Sequence, residues 1–162
     1  MEFRKADTGD IRSISDIWEE FVGEHDGIVT ACNSQLRKMN LRNDNAQSLY
    51  EKYLLGYIES GNGVAIIAEE NGSIVGYSFG FIKDEIPIFQ LKRYGYFSDL
   101  YVKKACRGRG ISSRLKDKMI LWFKRNGAEY VAIGFYADNI KAREIYKKWG
   151  FFDYKIEARK KI

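Results

Sequence analysis

A chain of 162 residues with 45% hydrophobic and 15% aromatic content is sized for one domain, residues 1–162, with a substantial buried core. The start, Met1 to Asp10, is polar and unlike a signal peptide, and no run approaches the roughly 20 apolar residues that span a bilayer, so a soluble, cytoplasmic protein with no membrane partner is expected. Cys32 and Cys106 stand far apart without a CxxC or Cys/His cluster, which excludes a disulfide framework and a zinc site, and the net charge of +5 suits a polyanionic ligand, either nucleic acid or a phosphorylated cofactor.

In chain order, Met1 to Lys5 reads as a short strand, and Asp7 or Thr8 as the cap of an amphipathic helix carrying Ile11, Ile14, Ile17, Trp18 and Phe21, with its end near Gly23. His25, the lone histidine, then falls in a polar connection beside Glu24 and Asp26, where ordinary surface is a more economical reading than a catalytic base. From Gln35 to Ser60 the apolar residues recur at helical spacing around a polar interruption at Asn40 to Ala46, predicting two helical pieces. Gly61-Asn62-Gly63 marks a turn, Val64 to Ala68 a strand, Glu69 to Gly72 a hairpin turn and Ser73 to Ile82 its antiparallel partner. Lys83 to Lys92, with Pro87, reads as a loop.

Tyr96 to Val102 has strand composition, and Arg107-Gly108-Arg109-Gly110 then leads into a helix with Ile111, Leu115, Met119 and Trp122 in one stripe. Glycines admit close backbone approach, and the first helical turn offers unpaired N–H groups at the positive end of the dipole. This arrangement predicts a phosphate cradle, and Lys103, Lys104, Arg107 and Arg109 around it favour a local phosphate site over a merely solvated basic face. Tyr130 to Tyr136 reads as a strand, Asp138-Asn139 as a cap, Ile140 to Trp149 as a helix, and Phe151 to Arg159 as a last strand.

The glycine turn fits neither common nucleotide loop. A Walker loop requires GxxxxGK followed by Ser or Thr, whereas Gly108 onward reads GRGISSRLK; a dinucleotide fingerprint fails where Ser113 replaces its third glycine. The pattern Arg/Gln-x-x-Gly-x-Gly/Ala does match Arg107 to Ser112, with serine at the last position. Farther on, Asn139 to Phe151 reads NxxAxxxYxxxGF.

Together these two motifs resemble those of the GNAT superfamily of N-acetyltransferases, most specifically from Tyr96 to Phe151. The resemblance implies an α/β fold with a mixed, largely antiparallel sheet flanked by helices and splayed at its fourth strand. It implies acetyl-coenzyme A as co-substrate, no metal, and direct transfer to a primary amine of a small molecule or protein. By position, Leu100, Tyr101 and Val102 would flank the pantetheine arm, with Leu100 and Val102 pairing through their backbones. Amides of Gly108, Arg109, Gly110, Ile111, Ser112 and Ser113 would hold the pyrophosphate, Arg107 and Arg109 would add positive field, and Asn139, Lys141, Ala142 and Tyr146 would contact the cofactor from the second motif.

Acyl transfer needs a neutral amine, stabilisation of charge on the carbonyl oxygen and a proton for the leaving thiolate. Tyr146 matches the family's tyrosine acid. Several relatives place a glutamate where this chain has Ser98, so Asp99 becomes the candidate base, although strand alternation sets Asp99 and Tyr101 on the face opposite Ser98 and Leu100. A remote glutamate, a water chain or selection of free amine are the alternatives, and a backbone N–H at Leu100 or Tyr101 is the expected oxyanion donor. A covalent route through Cys106 lacks a histidine to activate the thiol. A coenzyme A-binding sensor is the competing reading; nucleic-acid binding through the Arg159-Lys160-Lys161 tail is disfavoured, and a homodimer stays open.

Overall fold

A computed structural model describes residues 1–160, with the side chains of Val29 and Cys32 and the end of the basic tail at Lys161 lying outside the described part. Its elements are β1 (Glu2–Lys5), a 3-10 turn (Thr8–Asp10), α1 (Ile11–Cys32), α2 (Leu36–Met39), α3 (Ala46–Glu59), β2 (Gly63–Glu70), β3 (Ser73–Asp84), β4 (Arg93–Val102), a second 3-10 turn (Lys104–Cys106), α4 (Ile111–Arg125), β5 (Val131–Ile133) and α5 (Ile140–Lys148). The strands form one sheet in the order β1-β2-β3-β4-β5, antiparallel except for the parallel β4–β5 pair.

Local chemistry accounts for the joints. Asp7 accepts from the Gly9 N–H while Asp10 accepts from the Asp7 N–H, a reciprocal cap that sets the entry to α1. Asn71 and Gly72 both take positive φ, 51° and 72°, as a tight hairpin between twisted strands requires. Glycine is needed at Gly80 and Gly95 for a different reason: a side chain at either would collide with Phe123 of α4. That close approach lets α4 lie directly on the sheet.

Each face of the sheet carries its own core. On one, Leu115, Met119 and Phe123 of α4 pack on Val64, Ile66 and Phe97. On the other, Ile14 and Ile17 of α1 and Tyr50 and Leu54 of α3 pack on Ile67, Tyr77, Phe79 and Phe81. A fully buried aromatic such as Phe79 contributes about 2–3 kcal/mol through the area it removes from water.

The expected splay is present: β5 pairs with β4 only at Gly95, Tyr96 and Phe97. Three expectations need correction. Helix α1 continues through Gly23 to Cys32, so His25 sits on a helix, half-buried between the rings of Phe21 and Tyr136, at centroid distances of 5.6 and 5.1 Å. The expected strand from Tyr130 to Tyr136 shortens to Val131–Ile133. Phe151 to Arg159 forms no strand; its alternation finds no partner among the described residues, and Phe152, Tyr154 and Ile156 are exposed.

Candidate functional site

The site is organised by one extra residue in β4. Asp99 stands opposite Phe79, yet Phe97 stands opposite Gly80, so Ser98 has no counterpart and forms a β-bulge. Uninterrupted alternation would put Phe97, Asp99 and Tyr101 on one face. The bulge leaves Phe97 in the α4 core and turns Asp99 and Tyr101 toward α1 and α3, where Tyr101 joins the second core and Asp99 meets Tyr50.

Below the bulge, β4 has no strand neighbour on the β5 side among the described residues. The N–H of Lys103 donates to Val75 in β3 at 2.9 Å, so alternation directs the polar groups of Tyr101 to β3 and those of Leu100 and Val102 to the open edge. The Val102 carbonyl accepts from Arg107 Nε at 2.9 Å. The Leu100 N–H and C=O and the Val102 N–H remain as donors and acceptors along the gap. Of the two amides expected to stabilise an oxyanion, only that of Leu100 faces this edge.

The edge runs into the glycine turn. Gly108 and Gly110 take φ of +77° and +74°, and the space where their Cβ atoms would lie is open. Gly110 caps α4 in the left-handed conformation, and among the described residues no backbone or side-chain acceptor takes the amides from Gly108 through Ser113. Successive free amides at a helix start form an anion-binding concavity. Ser112 and Ser113 are half-buried on the first turn, so serine at 112 leaves this cradle intact.

The arginines beside it are engaged elsewhere. Arg107 donates in bidentate fashion to Glu24 of α1 at 2.6 and 2.7 Å, and its guanidinium lies 5.2 Å from the Tyr101 ring centre. Tyr101 also donates to Glu24, at 3.1 Å. The Arg107 hydrogen bonds hold the Glu24 carboxyl below its ordinary pKa against the opposing effect of burial. Arg109 pairs likewise with Glu70 at 2.6 and 2.9 Å. Arg107 is therefore a strut joining α1, the end of β4 and the turn. Glu24 escaped sequence reasoning, because its pairing with Arg107 depends on α1 continuing past Gly23.

Asp99 is only 8% exposed. Tyr50 donates to it at 3.4 Å and its hydroxyl lies 3.3 Å from that of Tyr77; the Ser98 hydroxyl is a further neighbour. Desolvation outweighs these hydrogen bonds and lifts the Asp99 pKa to about 6. Tyr53, whose phenol also meets Ser98, is pushed up to about 12, first by burial and then by the neighbouring Tyr57 and Asp99. Asp99 is thus a carboxylate of raised basicity among neutral phenols.

Across the gap, Asn139 caps α5 by accepting from the Ala142 N–H at 3.2 Å, which leaves Lys141 exposed on the first turn. Tyr146 is half-buried against the rings of Phe135, Trp149 and Phe151, at 5.5, 5.8 and 6.0 Å, and burial raises its pKa. Phe151 in turn meets Phe97 at 6.3 Å, so Tyr146 approaches β4 from the α4 face and Asp99 from the opposite one. Cys106 ends the second 3-10 turn, half-buried against the α4 core, while His25 on α1 packs between Phe21 and Tyr136. No cluster of three or more His, Cys, Asp or Glu among the described residues could hold a metal, and no helix there is long and apolar enough to cross a membrane.

Known proteins resemble this chain in sequence and in fold. The chain is 30% identical over 104 residues to an uncharacterized N-acetyltransferase, YhfO, of Bacillus subtilis, a match spanning 62% of this chain and 66% of the relative. It is 29% identical over 153 residues to the L-methionine sulfoximine/L-methionine sulfone acetyltransferase of Salmonella typhimurium, across 93% of this chain and 80% of that one. A similar fold occurs in a predicted acetyltransferase of Clostridium acetobutylicum crystallised with acetyl-CoA, with a TM-score of 0.76 at 23% identity, covering 99% of this chain and 95% of that one. The Acetyltransferase (GNAT) family model matches residues 34–151, from before α2 through the glycine turn to the end of the second motif, and the chain therefore belongs to the GNAT acetyltransferase family.

Proposed function

We propose that this protein transfers an acetyl group from acetyl-coenzyme A to the primary amine of a small molecule. The observation that carries the reading is the continuous path of unpaired backbone groups, from Leu100 and Val102 on the open edge of β4 into the amides of Gly108 to Ser113. An extended amide-bearing arm ending in a pyrophosphate matches that path: strand-like pairing along the edge, then an anion at a helix start. Positive-φ glycines with open space above them keep the turn accessible to phosphate oxygens. The residues present fit coenzyme A, with Leu100 and Val102 holding the arm, the turn holding the pyrophosphate, and Asn139, Lys141 and Ala142 bordering it from α5. When bound, acetyl-coenzyme A supplies an acetyl group activated as a thioester.

The chain's own residues divide the remaining work. Asp99, with a pKa of about 6, is ionised at neutral pH and is a stronger base than an ordinary carboxylate, which suits it to take a proton from the incoming ammonium directly or through one water. The Leu100 N–H is placed to meet negative charge developing on the carbonyl oxygen. Tyr146, whose pKa is raised by burial, keeps its proton at neutral pH and so has one to give to a departing thiolate. The Salmonella relative, named for methionine sulfoximine and methionine sulfone, supports a small-molecule acceptor.

The test pairs calorimetric titration of acetyl-coenzyme A with detection of coenzyme A thiol over an amine panel. Expected are binding, amine-dependent thiol release, and a kcat about 10²-fold lower in Tyr146→Phe with little change in acetyl-coenzyme A affinity. Absence of binding would refute the reading. Tight binding without transfer to any amine would favour a sensor.

A further inference from the structure

Beside Asp99 the side chains of α3, β3 and β4 form a continuous aromatic wall that reaches the surface. Tyr50, Tyr53 and Tyr57 recur at helical spacing along α3 and face Phe79 and Phe81 of β3 and Tyr96 of β4. Tyr53 lies edge-on to Phe79 at 5.7 Å and to Tyr57 at 5.1 Å, Tyr57 stacks on Phe81 at 4.2 Å, and Phe81 meets Tyr96 at 5.4 Å. Trp18 of α1 extends the wall by stacking on Tyr50 at 4.4 Å. Phe79 and Phe81 are buried, but Tyr53 is 43% exposed and Tyr57, Tyr96 and Ser98 are half-buried, so ring surface opens to solvent beside the bulge.

The charges on this wall identify its occupant. Ring faces attract cations, and two are already engaged: Arg42 lies 5.8 Å from the Trp18 ring centre and Lys83 5.3 Å from that of Tyr96. These cations mark the two ends. Between them lie Tyr53 and Tyr57, with Asp99 as the acidic group against the wall. The centre can therefore match one ammonium, held by ring faces and a carboxylate, on a body whose apolar surface the tyrosines cover. Arg42 is neutralised by Asp26 at 2.5 Å, so it is Lys83 that a second or third ammonium on the same molecule would meet.

Resting on the acetyltransferase reading, we propose that the acceptor is a primary monoamine on an apolar or aromatic body, seated against the solvent-facing rings of Tyr53, Tyr57 and Tyr96 beside Ser98, with Tyr53 setting specificity and Lys83 excluding polycations.

The test measures kcat/KM by thiol release for 2-phenylethylamine, spermine and kanamycin, and measures 2-phenylethylamine binding separately by calorimetry. Expected is a kcat/KM for 2-phenylethylamine at least about tenfold above those for both polycations. Tyr53→Leu, which keeps apolar bulk but removes the ring face, should raise KM for 2-phenylethylamine about tenfold with little change in kcat, and Lys83→Glu should raise kcat/KM for spermine. Equal or better use of the polycations, or an unchanged KM in Tyr53→Leu, would overturn the inference while leaving acetyl transfer standing. Binding of 2-phenylethylamine that is lost in Tyr53→Leu would support this seat even where no thiol appears. Neither binding nor thiol release with any amine would overturn both readings.

Discussion

Replacing Asp99 with asparagine separates what this carboxylate costs the fold from what it does for the reaction. The substitution keeps shape and an oxygen to accept from Tyr50, but removes the charge and the titration. In the folded protein the Asp99 pKa is about 6, against 3.8 for the unperturbed group, a gap of about 2 pH units worth about 3 kcal/mol. Because the folded value is the higher one, the native state binds more protons than the unfolded state between those values, so wild-type stability falls as pH rises from about 4 to 6. Above that window the full cost persists. Asp99→Asn does not incur it, so the variant should match wild type near pH 4 and exceed it by about 3 kcal/mol at pH 8. For a domain of this size that is about 6–12 °C in Tm. Thermal melts followed by circular dichroism from pH 4 to 8 read this directly. Over the same range, wild-type kcat/KM should show an inflection near pH 6 besides that of the amine, and the variant should lose this inflection together with about 10²-fold or more of its activity. A stability gap independent of pH would refute the burial argument, and undiminished turnover would refute the base assignment.

Other perturbations probe the surrounding frame. Gly110→Ala forces a side chain to φ of +74° at the start of α4 and should cost about 1–2 kcal/mol in chemical denaturation while weakening acetyl-coenzyme A binding in calorimetry. Glu24→Gln removes the charged partner of Arg107; because both side chains are partly exposed, the stability loss should stay at or below about 1 kcal/mol, whereas KM for acetyl-coenzyme A should rise as the strut loosens. Ser78, beside Leu100 in the β3–β4 register, buries a hydroxyl that finds no hydrogen-bond partner among the described residues, so Ser78→Ala should leave Tm unchanged or raise it by a few degrees.

The parts of the site that could be read in the sequence are those fixed by local geometry. Gly108 and Gly110 adopt the left-handed conformation that glycine permits, and Asn139 caps α5 with its own side chain, so both motifs appear where their residues stand. The parts that could not be read depend on contacts distant in sequence. No glycine marks the bulge at Ser98; it becomes visible only when Asp99 is matched to Phe79 and Phe97 to Gly80, yet it decides which core Phe97 and Asp99 face. Helix α1 bridges Gly23 and Gly27, each unfavourable by about 1 kcal/mol relative to alanine, within a segment where Glu24 binds Arg107 and His25 packs on Tyr136. Conversely, Phe151 to Arg159 has the alternation of a strand, but alternation specifies a strand only where an edge receives it.

In the proposed reaction the open edge of β4 and the glycine turn present an acetyl group to an amine held near Asp99. Mass spectrometry of a reaction containing isotopically labelled acetyl-coenzyme A and 2-phenylethylamine tests it most directly. Expected are label in the acetylated amine, one coenzyme A thiol released per label transferred, and none left on the protein. Label retained on Cys106 as an obligatory stage of transfer, or coenzyme A bound with no label leaving it for any amine, would contradict it.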